Sequence, residues 1–391
     1  MPYLDHNATT PLHPAARKAC LEAADRFWAN PSSLYAEATA ARDLLADCRE
    51  RLADLLGCTD PGRIVFTAGA TAANNLVARH FSRSAPPDAL ALLSPLEHPA
   101  VDASIRAAFP GRVHETDVDA EGVVAPEALA RALDGADHRP IALVSIMAAS
   151  NESGVLQPWQ ELASLCHDRH IPFHIDAAQW LGKLPAAGLA GCGWVTGSGH
   201  KFGGPRGVGF LVVPAETRFR GDLGGPQEDG QHAGTENLPG IAGMVAAIET
   251  RERDLPTIAK QGAAHRDAAI ELLRELLPTA RVVSGNAARL WNTLAILIHG
   301  ADSRKLVAAL DRAGIEASTG SACSSGAASA ARVVAAIAPS LGIAPGAPVG
   351  MVRFSAGPDT SAADWQAAIH ALAEAVIVSA GPSRPPRVDL R

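Results

Sequence analysis

Solid apolar runs alternate with helix-period patterns along this chain, and the alternation predicts its architecture. A run such as IALVSIM at 141–147 is apolar on both faces, as expected of a strand buried inside a sheet. Similar runs predict strands at 63–67, 89–94, 171–175, 194–198 and 208–213, with helical patterns between them. Strands and helices in alternation make a mostly parallel sheet covered on both faces. A glycine-rich stretch at 221–240 leads into Ala-, Leu-, Glu- and Arg-rich helical sequence over 239–278. Beyond it, strands at 281–284, 293–298 and 350–355 alternate with helices around 303–313 and 361–379. This reads as a second, smaller α/β domain beginning near 255. The tail GPSRPPRVDLR is polar and proline-containing, so loose order is expected there.

Length agrees with that division, since 391 residues exceed one ordinary compact domain. Hydrophobic residues make up 47% and charged residues 19%, enough to build a sizeable core. The formal net charge of −7 gives no basic field, so direct binding to nucleic acid or anionic lipid is not expected. No basic segment followed by an apolar one opens the sequence, and no apolar run approaches the roughly 18 residues that span a bilayer. A cytoplasmic protein is therefore expected, with no membrane partner. Six cysteines, at 20, 48, 58, 166, 192 and 323, show no CxxC pairing, and four sit in apolar contexts typical of reduced core thiols.

Candidate chemistry gathers where strands end. SGHK at 198–201 follows a strand and precedes GGPRGVG, which places Lys201 beside backbone that can approach a ligand closely. Such a lysine suits a Schiff base with an aldehyde cofactor, although a lysine beside a glycine loop is by itself commonly a surface residue. HIDAAQ at 174–179 closes another strand with Asp176. Asp176 and Lys201 then share the carboxyl edge of neighbouring parallel strands, where ligands bind in such sheets. A carboxylate there can pair with a protonated pyridine nitrogen or cap a helix. Gln179 can reach a phenolic oxygen of the same ring.

IVFTAGATAANN at 64–75 reads as strand, glycine turn and helix start. Its backbone N–H groups at Ala70 and Thr71, with the Thr71 hydroxyl, can cradle a phosphate, or Thr71 can simply cap the helix. Ser198 and His200 can add donors to that phosphate. His98, in LEHPA after a third strand, can face an aromatic ring and move protons. Cys323 lies in STGSACSSGAAS at 318–329, which holds no core-forming side chain other than the cysteine. A mobile loop carrying a thiol that reaches a buried substrate is expected there, with a buried thiol in a small-residue turn as the alternative. Arg353, inside the apolar strand MVRFSAG, needs either a substrate carboxylate or an internal salt bridge.

With YLDHNATTP (3–11), NPSS (30–33), EHPAV (97–101), NESGVLQP (151–158), GTEN (234–237) and VRFSAG (352–357), these motifs run in order along almost the whole chain. Together they resemble the class-V, fold-type I aminotransferase-like proteins, and within them the cysteine desulfurases of the NifS/IscS type. The resemblance implies a large domain over 15–254, and a small one made of 1–14 and 255–391 that carries the cysteine loop. It implies pyridoxal 5'-phosphate on Lys201, with Asp176 at the pyridine nitrogen, His98 stacked on the ring and Gln179 at the phenolate. Ala70, Thr71, Ser198 and His200 would hold the phosphate, with Thr235 reaching it from the other subunit of a homodimer. Asn7, Asn151 and Arg353 would orient L-cysteine, and Cys323 would carry the sulfur as a persulfide to an acceptor protein.

The chain departs from the family pattern at Tyr35, Ala72 and His232, and at Ser329-Ala330 after the cysteine loop. These changes leave the identity of the acceptor open among an iron–sulfur scaffold, a tRNA-modifying protein, DNA phosphorothioation and a biosynthetic pathway. Selenocysteine lyase or C–S lyase activity on the same scaffold, and a non-enzymatic sulfur carrier, are the rival readings.

Overall fold

The computed structural model describes residues 1–136, 139–215, 217, 219, 221, 224–320, 332–344 and 349–380. Seven strands, β1 (Ile64–Thr67), β2 (Leu90–Leu93), β3 (Val113–Glu115), β4 (Ile141–Ser145), β5 (Phe173–Asp176), β6 (Trp194–Ser198) and β7 (Gly209–Val212), form one sheet. Their order is β1-β7-β6-β5-β4-β2-β3. Strands β2 to β6 run parallel, while β7 is antiparallel to both of its neighbours. The apolar pattern misses β3, because Val113-His114-Glu115 is short and its last two residues face solvent.

Helices α1 (Pro14–Arg26), α2 (Ala36–Leu56), α3 (Ala70–Ser84), α4 (Pro99–Ala108), α5 (Pro126–Asp134), α6 (Trp159–Asp168) and α7 (Leu238–Leu276) surround this sheet. Side chains alternate between its faces, as the pleat requires. Ile64 and Phe66 of β1, with Leu90 and Leu92 of β2, enter the core beneath α1, α2, α6 and α7. Val65, Ala91 and Leu93 enter the opposite core with α3 and α4. Burial on both faces explains why the strands read as unbroken apolar runs.

A second, antiparallel sheet has the order β10-β9-β8, from β8 (Arg281–Val282), β9 (Thr293–His299) and β10 (Val349–Ser355). Leu294, Ile296 and Ile298 of β9 pack with side chains of α8 (Ser303–Arg312) and α10 (Ala362–Ala380). From its other face, Ala295 and Leu297 meet Leu96 and Met147 of the larger unit, together with Val333 of α9 (Arg332–Ile337). Helical sequence at 239–278 forms one continuous helix, α7, with Pro256 inside it. Met244, Val245 and Ile248 serve the first core, whereas Ala269, Ile270 and Leu273 serve the second. The N-terminal segment also links the two units, pairing Asp5 with Ser355 of β10 and donating from Thr10 N–H to the His200 carbonyl at 2.9 Å. Among the described residues no helix is long and apolar enough to cross a membrane.

Candidate active site

Parallel strands that end together leave a crevice at their carboxyl edge. There the structure has a cavity of about 420 Å³ lined by residues from the turns after β1, β2, β4, β5 and β6. Ala70, Thr71, His98, Asn151, Asp176, Gln179, Ser198, His200 and Lys201 all face it. Residues far apart in sequence thus converge on one space of the size that takes small cofactors.

Hydrogen bonds from within the chain fix these side chains. Asp176, at the end of β5, accepts from the Ala178 N–H through Oδ1 at 2.9 Å and from the Asn74 amide through Oδ2 at 3.1 Å. A turn rather than a helix follows it, so the helix-cap alternative does not describe this aspartate. Lys201 Nζ donates to the carbonyls of Asn7 at 2.7 Å and Ala8 at 2.9 Å. Gln179 donates through Nε2 to the Asn7 carbonyl at 2.9 Å, and its Oε1 accepts from Lys183 Nζ. With the amide oxygen taken by the Lys183 amine, the nitrogen end of Gln179 is left to donate.

Asn7 itself is buried, and its side chain bonds Thr293, Asn292 and the Asn151 carbonyl rather than lining the cavity. Its backbone carbonyl, not its amide, meets the lysine. Lys183 is buried as well, and burial, followed by the charges of Lys201 and Arg353, pushes its amine well below the usual lysine range.

His98 caps α4, its Nδ1 accepting the Ala100 N–H at 3.1 Å, so the neutral ring carries its proton on Nε2. Burial lowers its pKa against the opposing pull of Asp176, with Lys201 and Arg332 lowering it further. His200 falls to about 4 through burial and then the charges of Lys201, Arg206 and Lys183. Both rings are therefore neutral at pH 7.

Gly69 opens α3 at φ +139°, a conformation that favours glycine. It presents the first N–H groups of the helix, beside Ser198, His200 and Arg206, to one end of the cavity. Gly209 passes so close to Gly69 and Gly197 that a side chain there would collide with their backbones. This donor set, with a carboxylate, an amide and an amine placed around the same cavity, fits a phosphorylated heterocyclic aldehyde.

Arg353 of β10 does not line the cavity. Its guanidinium pairs with Asp5 and donates to the carbonyls of Asn151 at 2.8 Å and Gly320 at 3.0 Å, while Nε has no partner among the described residues. The internal salt bridge foreseen as one alternative is thus present. Thr235 is exposed and does not line its own chain's cavity. Cys323, Ser329 and Ala330 lie outside the described residues.

The Aminotransferase class-V family description matches residues 2–367. The chain belongs to the class-V aminotransferase family. This family member is 37% identical to a cysteine desulfurase of Klebsiella pneumoniae, over 90% of this chain and 87% of that protein. Among solved structures it resembles a NifS-like protein with a TM-score of 0.85 and 27% identity, over 97% of this chain and 99% of that one. It also resembles SspA in complex with cysteine, with a TM-score of 0.77 and 25% identity over 92% and 100% of the two chains. The resemblance read from the sequence motifs and the fold-type I architecture are borne out.

Sequence reasoning did not single out Asn74, Lys183 or Arg206. Asn74 and Arg206 lie within motifs quoted for the resemblance and carried a usable signal. Lys183 carried none, since only packing shows that a lysine in WLGKLP is buried.

Proposed function

We propose that this chain is a pyridoxal-phosphate-dependent cysteine desulfurase, acting in the cytoplasm as a homodimer and passing sulfur to an acceptor protein. One observation carries the reading: Lys201, Asp176, Gln179 and His98 converge on a single cavity in a chain 37% identical to a cysteine desulfurase. The bacterial origin of that relative supports the cytoplasmic placement, and the exposure of Thr235 leaves it available to a second subunit.

Lys201 would hold the cofactor aldehyde, Asp176 the ring nitrogen and Gln179 the phenolic oxygen. Ala70, Thr71, Ser198, His200 and Arg206 would hold the phosphate. When bound, pyridoxal phosphate supplies an electron sink that weakens the bonds around the amino acid's Cα. The Lys201 amine would take the Cα proton, and His98, in the same cavity, would hold a proton at Nε2. Asn151 and Arg353 orient the substrate carboxylate, for which Arg353 must share or release Asp5. The Cys323 thiolate attacks the substrate sulfur, so that an S–S bond forms as the Cβ–S bond breaks. L-cysteine and one thiol thereby become L-alanine and one persulfide.

Reconstituting the purified protein with pyridoxal phosphate and L-cysteine should release alanine and leave persulfide on Cys323. Cys323→Ser should abolish both products while keeping the visible cofactor band. Pyruvate as the product, or unchanged turnover in the variant, would reject the reading; turnover confined to selenocysteine would favour the lyase.

A further inference from the structure

A row of buried polar side chains leads from Asp176 into the sheet, and the mechanism above makes no use of it. Asn74 of α3, Thr196 of β6, His174 of β5 and Ser145 of β4 are each no more than 2% exposed. Asp176 Oδ2 accepts from Asn74 Nδ2 at 3.1 Å, and Asn74 Oδ1 accepts from Thr196 Oγ1 at 2.7 Å. Thr196 Oγ1 lies 3.4 Å from His174 Nε2, and His174 Nδ1 lies 2.7 Å from Ser145 Oγ.

The donors and acceptors can be assigned from Asp176 outward. A carboxylate accepts, so the nitrogen end of the Asn74 amide must face it and the oxygen end must face Thr196. Thr196 has one hydroxyl hydrogen, and Asn74 takes it. The Thr196 oxygen can then only accept from His174, which places the imidazole proton on Nε2. The bare Nδ1 takes the hydroxyl hydrogen of Ser145. Burial lowers His174 to about 4, which agrees with a neutral ring carrying a single N–H. Every bond in the row donates toward the carboxylate, and hydrogen bonds aligned in one sense polarise one another.

We infer that Ser145, His174, Thr196 and Asn74 are positioning residues, a one-way relay that orients the Asp176 carboxylate and so controls protonation of the cofactor's ring nitrogen. The inference rests on the proposed cofactor reading. Thr196→Val keeps the side-chain shape and breaks the row at its centre, leaving the Asn74 oxygen and the His174 N–H without partners.

With ¹⁵N-labelled pyridoxal phosphate bound, the ring-nitrogen resonance of Thr196→Val should move from the protonated toward the unprotonated pyridine position. Cofactor affinity should fall roughly tenfold. Thr196→Ser should restore both. If Thr196→Val does not fold, Ser145→Ala at the far end should displace the resonance in the same direction by less. A variant that binds cofactor with an unmoved resonance, even with a lower melting temperature, overturns the relay and leaves the cofactor reading intact. A wild-type protein that takes up no labelled cofactor overturns the cofactor reading, and the relay with it.

Discussion

The carboxyl edge of the seven-stranded sheet and the β10 end of the three-stranded sheet both carry charged side chains to which the proposed reaction assigns a role, yet they are built differently. At the first, hydrogen bonds from within the chain fix the ends of Lys201, Asp176 and Gln179, and all three residues line a shared cavity. At the second, the guanidinium of Arg353 is consumed by its own chain, through Asp5 and two carbonyls. The first arrangement is organised before any ligand arrives. The second contributes to holding the N-terminal segment on β10, and must exchange a partner to bind a substrate carboxylate.

Three measurements sharpen or break that contrast. Lys201→Ala should cut alanine release by roughly a thousandfold or more, erase the lysine-bound cofactor band and barely move the urea midpoint. A large fall in stability would mean that the lysine is also structural. Arg353→Ala should weaken L-cysteine binding and, unlike the lysine variant, also lose about 3–5 kcal/mol of unfolding free energy, because Asp5 is left without its buried partner. A loss below about 1 kcal/mol, the range of exposed ion pairs, would erase the difference between the two regions.

The smallest effect follows pH. His6, His174 and His200 are each lowered to about 4, chiefly by burial, from an ordinary value of 6.5. Between those values the unfolded chain binds protons that the folded chain refuses. Their contribution to stability is therefore complete above pH 6.5 and is lost as pH falls toward 4. The slope is up to about 1.4 kcal/mol per pH unit for each ring. Urea midpoints at pH 7, 6 and 5 should fall in step, and less steeply in His174→Gln; a flat series contradicts the burial of these rings.

Much of this was legible in the sequence, for identifiable reasons. Strands buried on both faces announce themselves as apolar runs, so β1, β2 and β4 to β7 lie where the pattern puts them. Only β3, three residues long with two of them exposed, has no such run. Lys201, Asp176 and His98 were readable because each stands at or just past the end of a strand, where topology alone brings them to one edge. Partners that arrive from afar were not. Nothing local links Arg353 to Asp5, 348 residues away, or tells that the Asn7 carbonyl rather than its amide meets Lys201. The sense of the bonds from Ser145 to Asp176 likewise emerges only when four elements are packed together.

Helix α7 runs unbroken for 39 residues, roughly 58 Å at helical rise, with one end rooted in each core. A strut of that kind carries any tilt of the smaller unit directly into the packing beneath the larger sheet. Pro256 removes one rung of its backbone ladder near the midpoint. Any bend in the strut should concentrate at that residue, between the part rooted beneath the larger sheet and the part rooted beneath the smaller.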